Sequence, residues 1–399
     1  MSTGVRSLEE ATVAGRRVLL RADLNVPLRY GRVADDTRIA RLIPTIRALA
    51  KKNARVIICS HFGRPKGKRR PEMSLAPLAP ALAAALGRPV RFAEDCVGET
   101  AVRAAKALAD GEVLLLENTR FHPGEEANDP AFAAALAKLA EIFVNDAFSV
   151  SHRAHASTEG VARLLPSYAG REMQAELAAL DAALGHPARP VGAIVGGAKV
   201  STKLDLLGNL SRKVDFLMIG GAMANTFLAA GGIAVGRSLE EQDLHAEAQA
   251  ILAQAKAKGC EVLLPDDAMV AAALEPGTDA RVVPIAAVPP EMMILDVGPA
   301  TIARFEARLH ELRTLVWNGP VGAFETPPFA AGTITLARAV ARATTAGRLC
   351  SVAGGGDTVA ALNFAGLADQ LTYVSAAGGA FLEWLEGKTL PGVAVLQTG

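Results

Sequence analysis

The sequence has few of the features that mark secreted and membrane proteins. Only four of its 399 residues are cysteines, and no two of them form a C-x-x-C pair, which argues against a zinc cluster and a disulfide framework. No apolar run approaches the ~18 residues needed to span a bilayer. The first twenty residues contain no apolar signal segment. We therefore expect a soluble, cytoplasmic protein that does not associate with a membrane.

The charge balance gives no reason to expect a nucleic-acid partner. The formal net charge is +1, with acidic and basic residues spread along the whole chain, so no global field would attract a polyanion. The dense basic run RPKGKRR at residues 64–70 has no interleaved aromatic residues, which favours a solvated loop over a nucleic-acid surface. Any anion site must therefore be local.

The chain is long enough for two domains, because 399 residues exceed the size at which one hydrophobic core keeps growing. Short apolar runs alternate with longer alanine-rich segments of helical period, which is typical of a parallel sheet built from βα units. Strands are predicted in the first half at 18–25, 54–60, 89–95, 112–120 and 141–147. They are predicted in the second half at 191–197, 215–221, 261–267, 292–299, 314–320, 349–356 and 372–379.

The alternation lapses between residues 149 and 190, where a polar loop precedes a stretch that is predicted to form one helix, REMQAELAALDAAL. We therefore predict an α/β protein with two Rossmann-like domains, each a parallel β-sheet flanked by helices, joined by this connecting helix. The predicted boundaries are 1–170 for the first domain, 171–188 for the helix and hinge, and 189–385 for the second domain.

In the first half, charged and polar side chains follow the predicted strands or begin a helix. Ligands of open parallel sheets bind beyond the carboxyl ends of the strands, so these side chains should share one edge. They are Asp23, Asn25, Arg38, His61, Arg64, Asn118, Arg120, Asn145, Asp146 and Arg153. Because a guanidinium group grips phosphate or carboxylate oxygens in pairs, several converging arginines indicate a small ligand with more than one negative charge.

In the second half the same edge is rich in glycine, which lets backbone N–H groups approach a ligand, and a helix beginning there adds its positive end. The glycines are Gly196, Gly197, Gly220, Gly221, Gly298, Gly319, Gly322, Gly354, Gly355, Gly356, Gly378 and Gly379. Lys199 and Lys203 follow the first pair, and their spacing predicts that they project from one face of a helix. The pattern indicates a site for nucleotide phosphates.

These glycine-rich segments do not match two familiar nucleotide loops. No G-x-x-x-x-G-K-[ST] loop is present, and GGGDT at 354–358 does not complete G-x-G-x-x-G, which argues against a nicotinamide cofactor. Asp357 follows glycines at a predicted helix start, where an N-cap and a Mg²⁺ ligand are both reasonable roles; beside a nucleotide we favour the metal. His152 and His155 have no third ligand nearby, so we expect substrate contacts or surface positions for them.

Eight segments of the sequence resemble the signature segments of phosphoglycerate kinases. They are RADLNVP, SHFGRPKG, ENTRFHPGEE, NDAFSVSHRAHAS, GGAKVSTK, GGAMANTF, WNGPVGAFE and GGGDT, in the family's order and from end to end of the chain. The resemblance implies reversible, Mg²⁺-dependent transfer of a phosphoryl group between ATP and 3-phosphoglycerate, which gives ADP and 1,3-bisphosphoglycerate in glycolysis. It also implies a monomer and a C-terminal tail, about 386–399, that folds back on the first domain. We expect closure about the connecting helix in the productive state.

The resemblance also implies roles for individual residues. Those that would hold the glycerate and its anionic groups are Asp23, Asn25, Arg38, His61, Arg64, Arg120 and Arg153. Those that would bind the nucleotide are Gly196, Gly197, Lys199, Lys203, Glu325 at the ribose, Gly354, Gly355, Gly356, Asp357 at the metal, and Thr358. For the transfer itself, we predict that Arg38 and Lys199 neutralise the moving phosphoryl group while Gly378 and Gly379 donate backbone hydrogen bonds.

The sequence departs from the family pattern in places and leaves two other functions open. Ala376 and Ala377 stand where the family usually has glycine, and Thr202 where aspartate is common; we expect these changes to tune activity. A kinase of another phosphorylated acid or alcohol is one alternative, and a hydroxyl acceptor would require Asp23 or His61 as a general base. A two-lobed binding protein, which would close on a ligand without turnover, is the other.

Overall fold

A computed structural model of the chain describes residues 4–397. The chain divides into two compact units, one with the residues up to Ala178 and from Thr389 onward, the other with Ala179–Lys388. Each unit contains a six-stranded parallel sheet flanked by helices, which confirms the α/β fold class predicted from the sequence. Between residues 4 and 397, no helix combines the length and the apolar character that a membrane crossing requires.

The first unit is built around a parallel sheet with the strand order β5-β6-β4-β1-β7-β8, beside a small antiparallel hairpin of β2 and β3. Its strands are β1 (Arg17–Arg21), β2 (Leu28–Arg29), β3 (Arg32–Val33), β4 (Arg55–Cys59), β5 (Val90–Ala93), β6 (Val113–Leu116), β7 (Ile142–Asn145) and β8 (Ser167–Ala169). Its helices are α1 (Thr37–Lys51), α2 (Leu78–Leu86), α3 (Gly98–Lys106), α4 (Pro123–Glu126), α5 (Pro130–Ala137) and most of α6 (Arg171–Leu180). The hairpin and β8 are too short to give a periodic pattern, so the sequence does not predict them.

Both faces of this sheet are buried, which explains why its strands read as continuous apolar runs. Within β1, Val18 and Leu20 belong to the core on one face of the sheet, and Leu19 belongs to the core on the other. Burial of each such side chain stabilises the fold by about 1.5–3 kcal/mol. Polar residues are consequently concentrated at the strand ends, where they remain available for function.

The second unit contains a parallel sheet with the strand order β11-β10-β9-β15-β16-β17 and a separate antiparallel sheet with the order β13-β12-β14. Its strands are β9 (Val191–Val195), β10 (Phe216–Ile219), β11 (Glu261–Leu263), β12 (Asp267–Ala271), β13 (Ala280–Pro284), β14 (Met293–Val297), β15 (Thr314–Asn318), β16 (Cys350–Gly354) and β17 (Tyr373–Ser375). Its helices are α7 (Leu204–Leu210), α8 (Ala222–Ala230), α9 (His245–Ala257), α10 (Pro299–Glu311), α11 (Ala331–Thr345), α12 (Gly356–Phe364) and α13 (Gly378–Leu385).

Two expectations about the second unit are wrong. The sequence predicts that the run at 292–299 is a strand of the parallel sheet and that Gly298 follows it. In the structure β14 pairs antiparallel with β12 in a separate sheet, so Gly298 does not follow a parallel strand. Lys199 and Lys203 do not share a helical face, because the residues before Leu204 form turns and α7 begins only there. The backbone of this segment makes other bonds instead: Ser201 N–H donates to Oε2 of Glu241 at 3.0 Å, and Lys203 N–H donates to the oxygen of Val200 at 2.8 Å.

The division between the two units falls inside α6, near its end. The buried carboxylate of Asp146 accepts a hydrogen bond from Met173 N–H at 3.0 Å, and Thr45 Oγ1 accepts one from Arg171 N–H at 3.0 Å, so both side chains satisfy donors of the first turn. The predicted single helix is shorter than expected, because α6 ends at Leu180 and a wider π-type turn, Asp181–Gly185, follows.

The end of the chain belongs to the first unit. Helix α14 (Pro391–Ala394) lies beside the loop after β7, where Nδ2 of Asn145 donates to the backbone oxygen of Gly392 at 3.0 Å. Gly392 N–H donates in turn to the oxygen of Ser151 at 2.9 Å. A Cβ at Gly392 would lie 3.0 Å from Ser151 atoms, so the close approach favours glycine at this position.

Candidate active site

The first unit presents the residues predicted to bind an anionic acid after its strands and at the start of α1. One pair follows β1, a second pair follows β4, one arginine follows β6 and one lies in the loop after β7. We call this set the arginine edge. Its members are Asp23, Asn25, Arg38, His61, Arg64, Arg120 and Arg153.

Contacts within the arginine edge organise Asp23 and Asn25. The Asp23 carboxylate lies 2.8 Å from Nη1 of Arg38 and accepts a hydrogen bond from Oγ of Ser149 at 2.5 Å. Nη1 of Arg38 also donates to the backbone oxygen of Asn25 at 3.0 Å, and Oδ1 of Asn25 accepts from Gly63 N–H at 3.0 Å. These bonds connect the loops after β1, β4 and β7 with the first turn of α1.

Arg120 and Arg153 are held with much of their surface removed from water. Arg120 is only 3 % exposed; its Nη1 donates to the backbone oxygen of Gly63 at 2.9 Å, and its Nε lies 3.1 Å from Oε1 of Glu126. Burial lowers the pKa of Arg120. Arg153 is half-buried, and its Nε donates to Nε2 of His152 at 3.1 Å. Both guanidinium groups are therefore oriented before any ligand arrives.

His61 is an uncharged member of the arginine edge. Its side chain is buried, and its Nδ1 lies 3.2 Å from Nη2 of Arg21. Burial lowers the pKa of His61 well below its ordinary value, and nearby cations lower it further. Those cations are Arg21, Arg120, Arg153 and Arg38. These four cations therefore favour the neutral form of the ring.

The arginine edge has more positive than negative charge. It contains four arginines but only one carboxylate, that of Asp23, and the buried ring of His61 adds no charge. Arg64 is exposed, so its guanidinium reaches solvent from the same loop as His61. Buried cations are costly unless an anion compensates them. The arrangement therefore suits a small ligand with two anionic groups.

A cavity of about 370 Å³ lies beyond the carboxyl ends of the parallel strands of the second unit. Gly197, Glu325 and Asp357, which the sequence predicts as nucleotide contacts, are among its lining residues. The lining also includes an apolar wall that the sequence does not predict, formed by Leu239, Leu274, Met293, Ile294 and Leu295. Apolar walls with a few polar groups are the usual composition of small-molecule sites.

Lys199 and Lys203 differ in their surroundings. Nζ of Lys203 donates to the backbone oxygens of Gly196 at 2.6 Å and Asn318 at 3.1 Å. Burial lowers the pKa of Lys203 to about 8, and the charge of Asp357 opposes this effect. Lys199 is exposed. Lys203 is therefore a cation at neutral pH that has lost most of its contact with water. Its hydrogen-bond partners are uncharged carbonyl groups, so binding of an anion beside it would be strongly favourable.

Glycines of the second unit differ in how closely other atoms approach them. A Cβ at Gly196 would lie 1.9 Å from the backbone oxygen of Pro320, so Gly196 is required by the packing of the chain against itself. A Cβ at Gly356 or Gly378, in contrast, would meet nothing within 4 Å. Open space at these two positions leaves their backbones accessible to a ligand.

Two helices begin at these open positions. Gly355, with φ +96°, is the N-cap of α12, whose first turn contains Gly356 and Asp357. Gly378 and Gly379 form the first turn of α13, whereas the sequence predicts them at the end of a strand at 372–379. The first N–H groups of a helix have no partner within it, and the helix dipole favours anions there. Both helix starts can therefore donate hydrogen bonds to phosphate oxygens.

Thr358 has a structural position beneath this surface. Its buried Oγ1 accepts a hydrogen bond from Gly319 N–H at 2.7 Å and donates to the backbone oxygen of Gly354 at 2.9 Å. Nδ2 of Asn318 donates to the same oxygen at 2.8 Å. The loops after β15 and β16 are consequently fixed to each other, and the Thr358 hydroxyl is already engaged.

Asp357 and one cluster in the first unit are the candidates for a metal site. Asp357 has an exposed carboxylate that makes no hydrogen bond or salt bridge with residues 4–397, and oxygen ligands suit Mg²⁺. Its position in the first turn of α12, after the N-cap, removes the alternative role of N-cap. In the first unit Asp95, Cys96 and His122 lie together, but burial raises the pKa of the Cys96 thiol well above its usual range. Asp357 is therefore the better match to a hard cation.

Several residues of these sites escape the sequence analysis. Arg21 is the strongest case, because a charged residue inside the apolar run VLLRADLN is a detectable signal for a buried contact. Ser149 and the apolar cavity wall have no such signal, since their roles depend on neighbours far away in the sequence. The wall is formed by β14 and loops outside the parallel sheet.

Comparison with known proteins places the whole chain in one family. Residues 8–388 match the family model described as phosphoglycerate kinase. The chain is 62% identical to a phosphoglycerate kinase of Granulibacter bethesdensis, over 98% of this chain and 99% of the relative. It is 61% identical to that of Methylorubrum populi, over 99% of both chains.

Solved structures give the same result. The structure of phosphoglycerate kinase from Coxiella burnetii matches with a TM-score of 0.92 and 44% identity, over 98% of each chain. The enzyme from Pyrococcus horikoshii matches with a TM-score of 0.82 and 31% identity, again over 98% of each chain. Sequence and fold therefore agree along nearly the full length.

Proposed function

The chain belongs to the phosphoglycerate kinase family, whose members are phosphotransferases, and we propose that it transfers a phosphoryl group reversibly between ATP and the carboxylate of 3-phosphoglycerate. The observation that supports this most directly is the arginine edge, which offers four guanidinium groups and an uncharged His61, while its one carboxylate, that of Asp23, is engaged by Arg38. From the family we also propose a glycolytic role, a cytoplasmic location and a monomeric state.

The chemistry of the acceptor explains why the site lacks a general base. A carboxylate has an intrinsic pKa near ~4 and is already ionised at neutral pH, so no proton has to be removed before it attacks phosphorus. Asp23, the carboxylate at this edge, is engaged by Arg38 and Ser149, and it can accept the hydrogen bond of the substrate hydroxyl. An alcohol acceptor would require a base that neither Asp23 nor His61 is set up to provide.

Charge neutralisation is the main task of the protein in the transfer. The transition state is loose, with charge spread over the equatorial oxygens, so positioning and electrostatics supply most of the catalysis. We assign Arg38 and Lys199 to the moving phosphoryl group, and the N–H groups of Gly378 and Gly379 to its oxygens. Lys203 and the first turn of α12 hold the other phosphates. Arg64, Arg120 and Arg153 hold the phosphate of the acid.

The exposed carboxylate of Asp357 fits a magnesium ligand, because it makes no hydrogen bond or salt bridge within residues 4–397 and it lines the cavity. Bound Mg²⁺ would neutralise nucleotide phosphate oxygens. The apolar wall with Leu239, Leu274 and Ile294 would hold the base, and Glu325 would accept from the ribose hydroxyls. Few polar groups face the base in this proposal, so shape and burial would determine its binding.

A hydroxylamine trap tests the proposed function. Hydroxylamine converts acyl phosphates to hydroxamates, so we expect hydroxamate only when ATP, Mg²⁺ and 3-phosphoglycerate are all present. Glycerol 3-phosphate is the matched comparison, since it differs by having a hydroxymethyl group in place of the carboxylate, and it should yield neither hydroxamate nor ADP. Lys199→Ala should abolish the product, whereas Lys213→Ala, at an exposed site of the second unit, should not. ADP formation with glycerol 3-phosphate would indicate an alcohol kinase instead.

Nucleotide affinity should depend on pH through Lys203. Because its pKa in the free protein is about 8, below the ordinary value of 10.5, the cation is present at pH 7 and is lost as pH rises through 8. We expect the Kd for ATP, measured by calorimetry, to rise by up to about tenfold per pH unit above pH 8. In Lys203→Met the affinity should be lower and independent of pH between 7 and 9. A wild-type affinity that stays constant to pH 9.5 would exclude Lys203 from the phosphate site.

A further inference from the structure

A buried arginine lies behind the arginine edge. Arg21, the last residue of β1, is 1 % exposed, so its guanidinium must be satisfied by the protein. Its Nε donates to Oγ of Ser157 at 2.8 Å, its Nη1 donates to the backbone oxygen of Ala22, and its Nη2 lies 3.2 Å from Nδ1 of His61. These contacts cover all three nitrogens of the guanidinium group.

The contact with Arg21 determines where the proton of His61 lies. A guanidinium group has only donors, so Nδ1 of His61 must accept and cannot carry a hydrogen. The remaining proton of the neutral ring is therefore on Nε2. Within the described chain, Nε2 of His61 makes no hydrogen bond to another residue, so this donor remains available to a ligand.

A buried carboxylate balances the charge of Arg21. Oγ of Ser157 accepts from Arg21 and donates to Oε1 of Glu125 at 2.5 Å, and Ser157 N–H donates to Oε2 of Glu125 at 3.0 Å. Glu125 is fully buried, and Nδ1 of His155 lies 4.0 Å from its Oε1. The Ser157 hydroxyl can serve both neighbours in only one orientation, since it has a single proton. Glu125 and Ser157 thus fix the plane of Arg21.

We propose that Arg21, held by Ser157 and Glu125, is a positioning residue that keeps His61 as the neutral Nε2–H tautomer, so that His61 is a permanent hydrogen-bond donor to the acid substrate. This assignment deepens the proposed function and depends on it for the identity of the substrate. The charged groups that lower the pKa of His61 are Arg21, Arg120, Arg153 and Arg38, whereas the Asp23 carboxylate of the same edge is engaged by Arg38. His61 consequently neither binds as a cation nor removes a proton, and its donor is unchanged across the ordinary titration range of histidine.

Nitrogen NMR of the full chain without substrate tests the tautomer directly. With ¹⁵N-labelled histidine, long-range proton–nitrogen correlations distinguish the two tautomers and the imidazolium form. The chain has seven histidines, so the absence of one signal set in His61→Gln assigns His61. We expect a protonated Nε2 and an unprotonated Nδ1 at every pH between 5 and 8. An imidazolium signal at pH 7, or a protonated Nδ1, overturns the proposal without any variant having to fold.

Arg21→Met tests the cause of the tautomer. We expect the variant to show a mixture of tautomers or a titrating His61, and roughly a fivefold to tenfold higher KM for 3-phosphoglycerate, with a smaller change in kcat. Arg17→Met is the matched control, because Arg17 lies on the same strand with a partly exposed salt bridge to Glu141, and it should change neither quantity. Ser157→Ala, which removes one hydrogen bond and no charge, should give a partial effect.

The two readouts separate this inference from the proposed function. An Arg21→Met protein that folds and keeps the wild-type tautomer overturns the role of Arg21, whatever its activity. If the wild-type chain shows the expected tautomer but does not turn over 3-phosphoglycerate, the positioning of His61 stands and the proposed substrate is wrong.

Discussion

Replacing Arg38 with alanine is expected to lower kcat by about 100-fold to 1,000-fold while changing the KM for ATP by less than about threefold. Arg38 contacts two other residues of the arginine edge: its guanidinium forms a salt bridge with Asp23 and donates to the backbone oxygen of Asn25. Its guanidinium is the one we assign to charge that develops during transfer, and removing an interaction of the transition state lowers kcat. Steady-state kinetics with both substrates varied measures the two constants.

Arg47→Ala is the matched control for this prediction. Arg47 lies on the same helix, α1, but is exposed and donates to the backbone oxygen of Ala85 at 2.9 Å. Its loss should leave both constants within about twofold of wild type, because surface substitutions seldom cost more than ~0.5 kcal/mol. Arg38→Lys should restore only part of the rate, since an ammonium cannot reproduce the paired donors of a guanidinium. An Arg38→Ala effect confined to KM would remove Arg38 from the transition state.

Replacing Gly196 with alanine is expected to destabilise the second unit by about 3–5 kcal/mol. The added Cβ would lie 1.9 Å from the oxygen and 2.7 Å from the carbonyl carbon of Pro320, and neither backbone atom belongs to a flexible side chain that could move away. The loops after β9 and β15 would have to separate. The same movement would displace the two backbone acceptors of Lys203, so ATP binding should weaken together with stability.

Tryptophan fluorescence during urea unfolding measures this loss in the right place. Both tryptophans, Trp317 and Trp384, belong to the second unit, so the signal reports that unit alone. Gly208→Ala is the control, since a Cβ there meets nothing within 4 Å and alanine in the interior of α7 should stabilise by up to about 1 kcal/mol. An unchanged midpoint in Gly196→Ala would contradict the close approach of the two loops.

The positions of the arginine-edge residues at the ends of strands can be predicted from the sequence for a simple physical reason. Parallel strands end on one side of a sheet, so residues such as Asp23, His61 and Arg120, which directly follow apolar runs, come to the same side. The glycine-rich ends of β9 and β16 are predictable for the same reason. The predicted strands end later than the observed ones. Residues that follow a strand in extended conformation resemble strand residues in the sequence, so the sequence does not show where the pairing stops.

The errors have physical causes too. The spacing of Lys199 and Lys203 fits a helical face, but the intervening residues form turns, and Lys203 folds back onto the carbonyls of Gly196 and Asn318. Strand β14 has the apolar composition of the parallel strands, yet its partner β12 is antiparallel, and composition does not encode the direction of a partner. The contact of Arg21 with His61 joins residues 40 positions apart and appears only once β1 and β4 are paired.

The central claim is that a carboxylate oxygen of the substrate attacks the γ-phosphorus of ATP, and an oxygen label tests it most directly. The substrate is 3-phosphoglycerate with ¹⁸O in both carboxylate oxygens, incubated with the protein, ATP, Mg²⁺ and hydroxylamine. Attack forms the bond between that oxygen and phosphorus and breaks the bond to the bridging oxygen, which leaves with ADP. Hydroxylamine then cleaves the bond from the acyl carbon to the labelled oxygen.

Phosphorus NMR of the released phosphate gives the answer. The account predicts that each phosphate carries one ¹⁸O atom and that phosphate, hydroxamate and ADP form in equal amounts. Unlabelled phosphate released in step with ADP would mean that water is the acceptor, and it would contradict the assignment of the arginine edge to a carboxylate that attacks phosphorus.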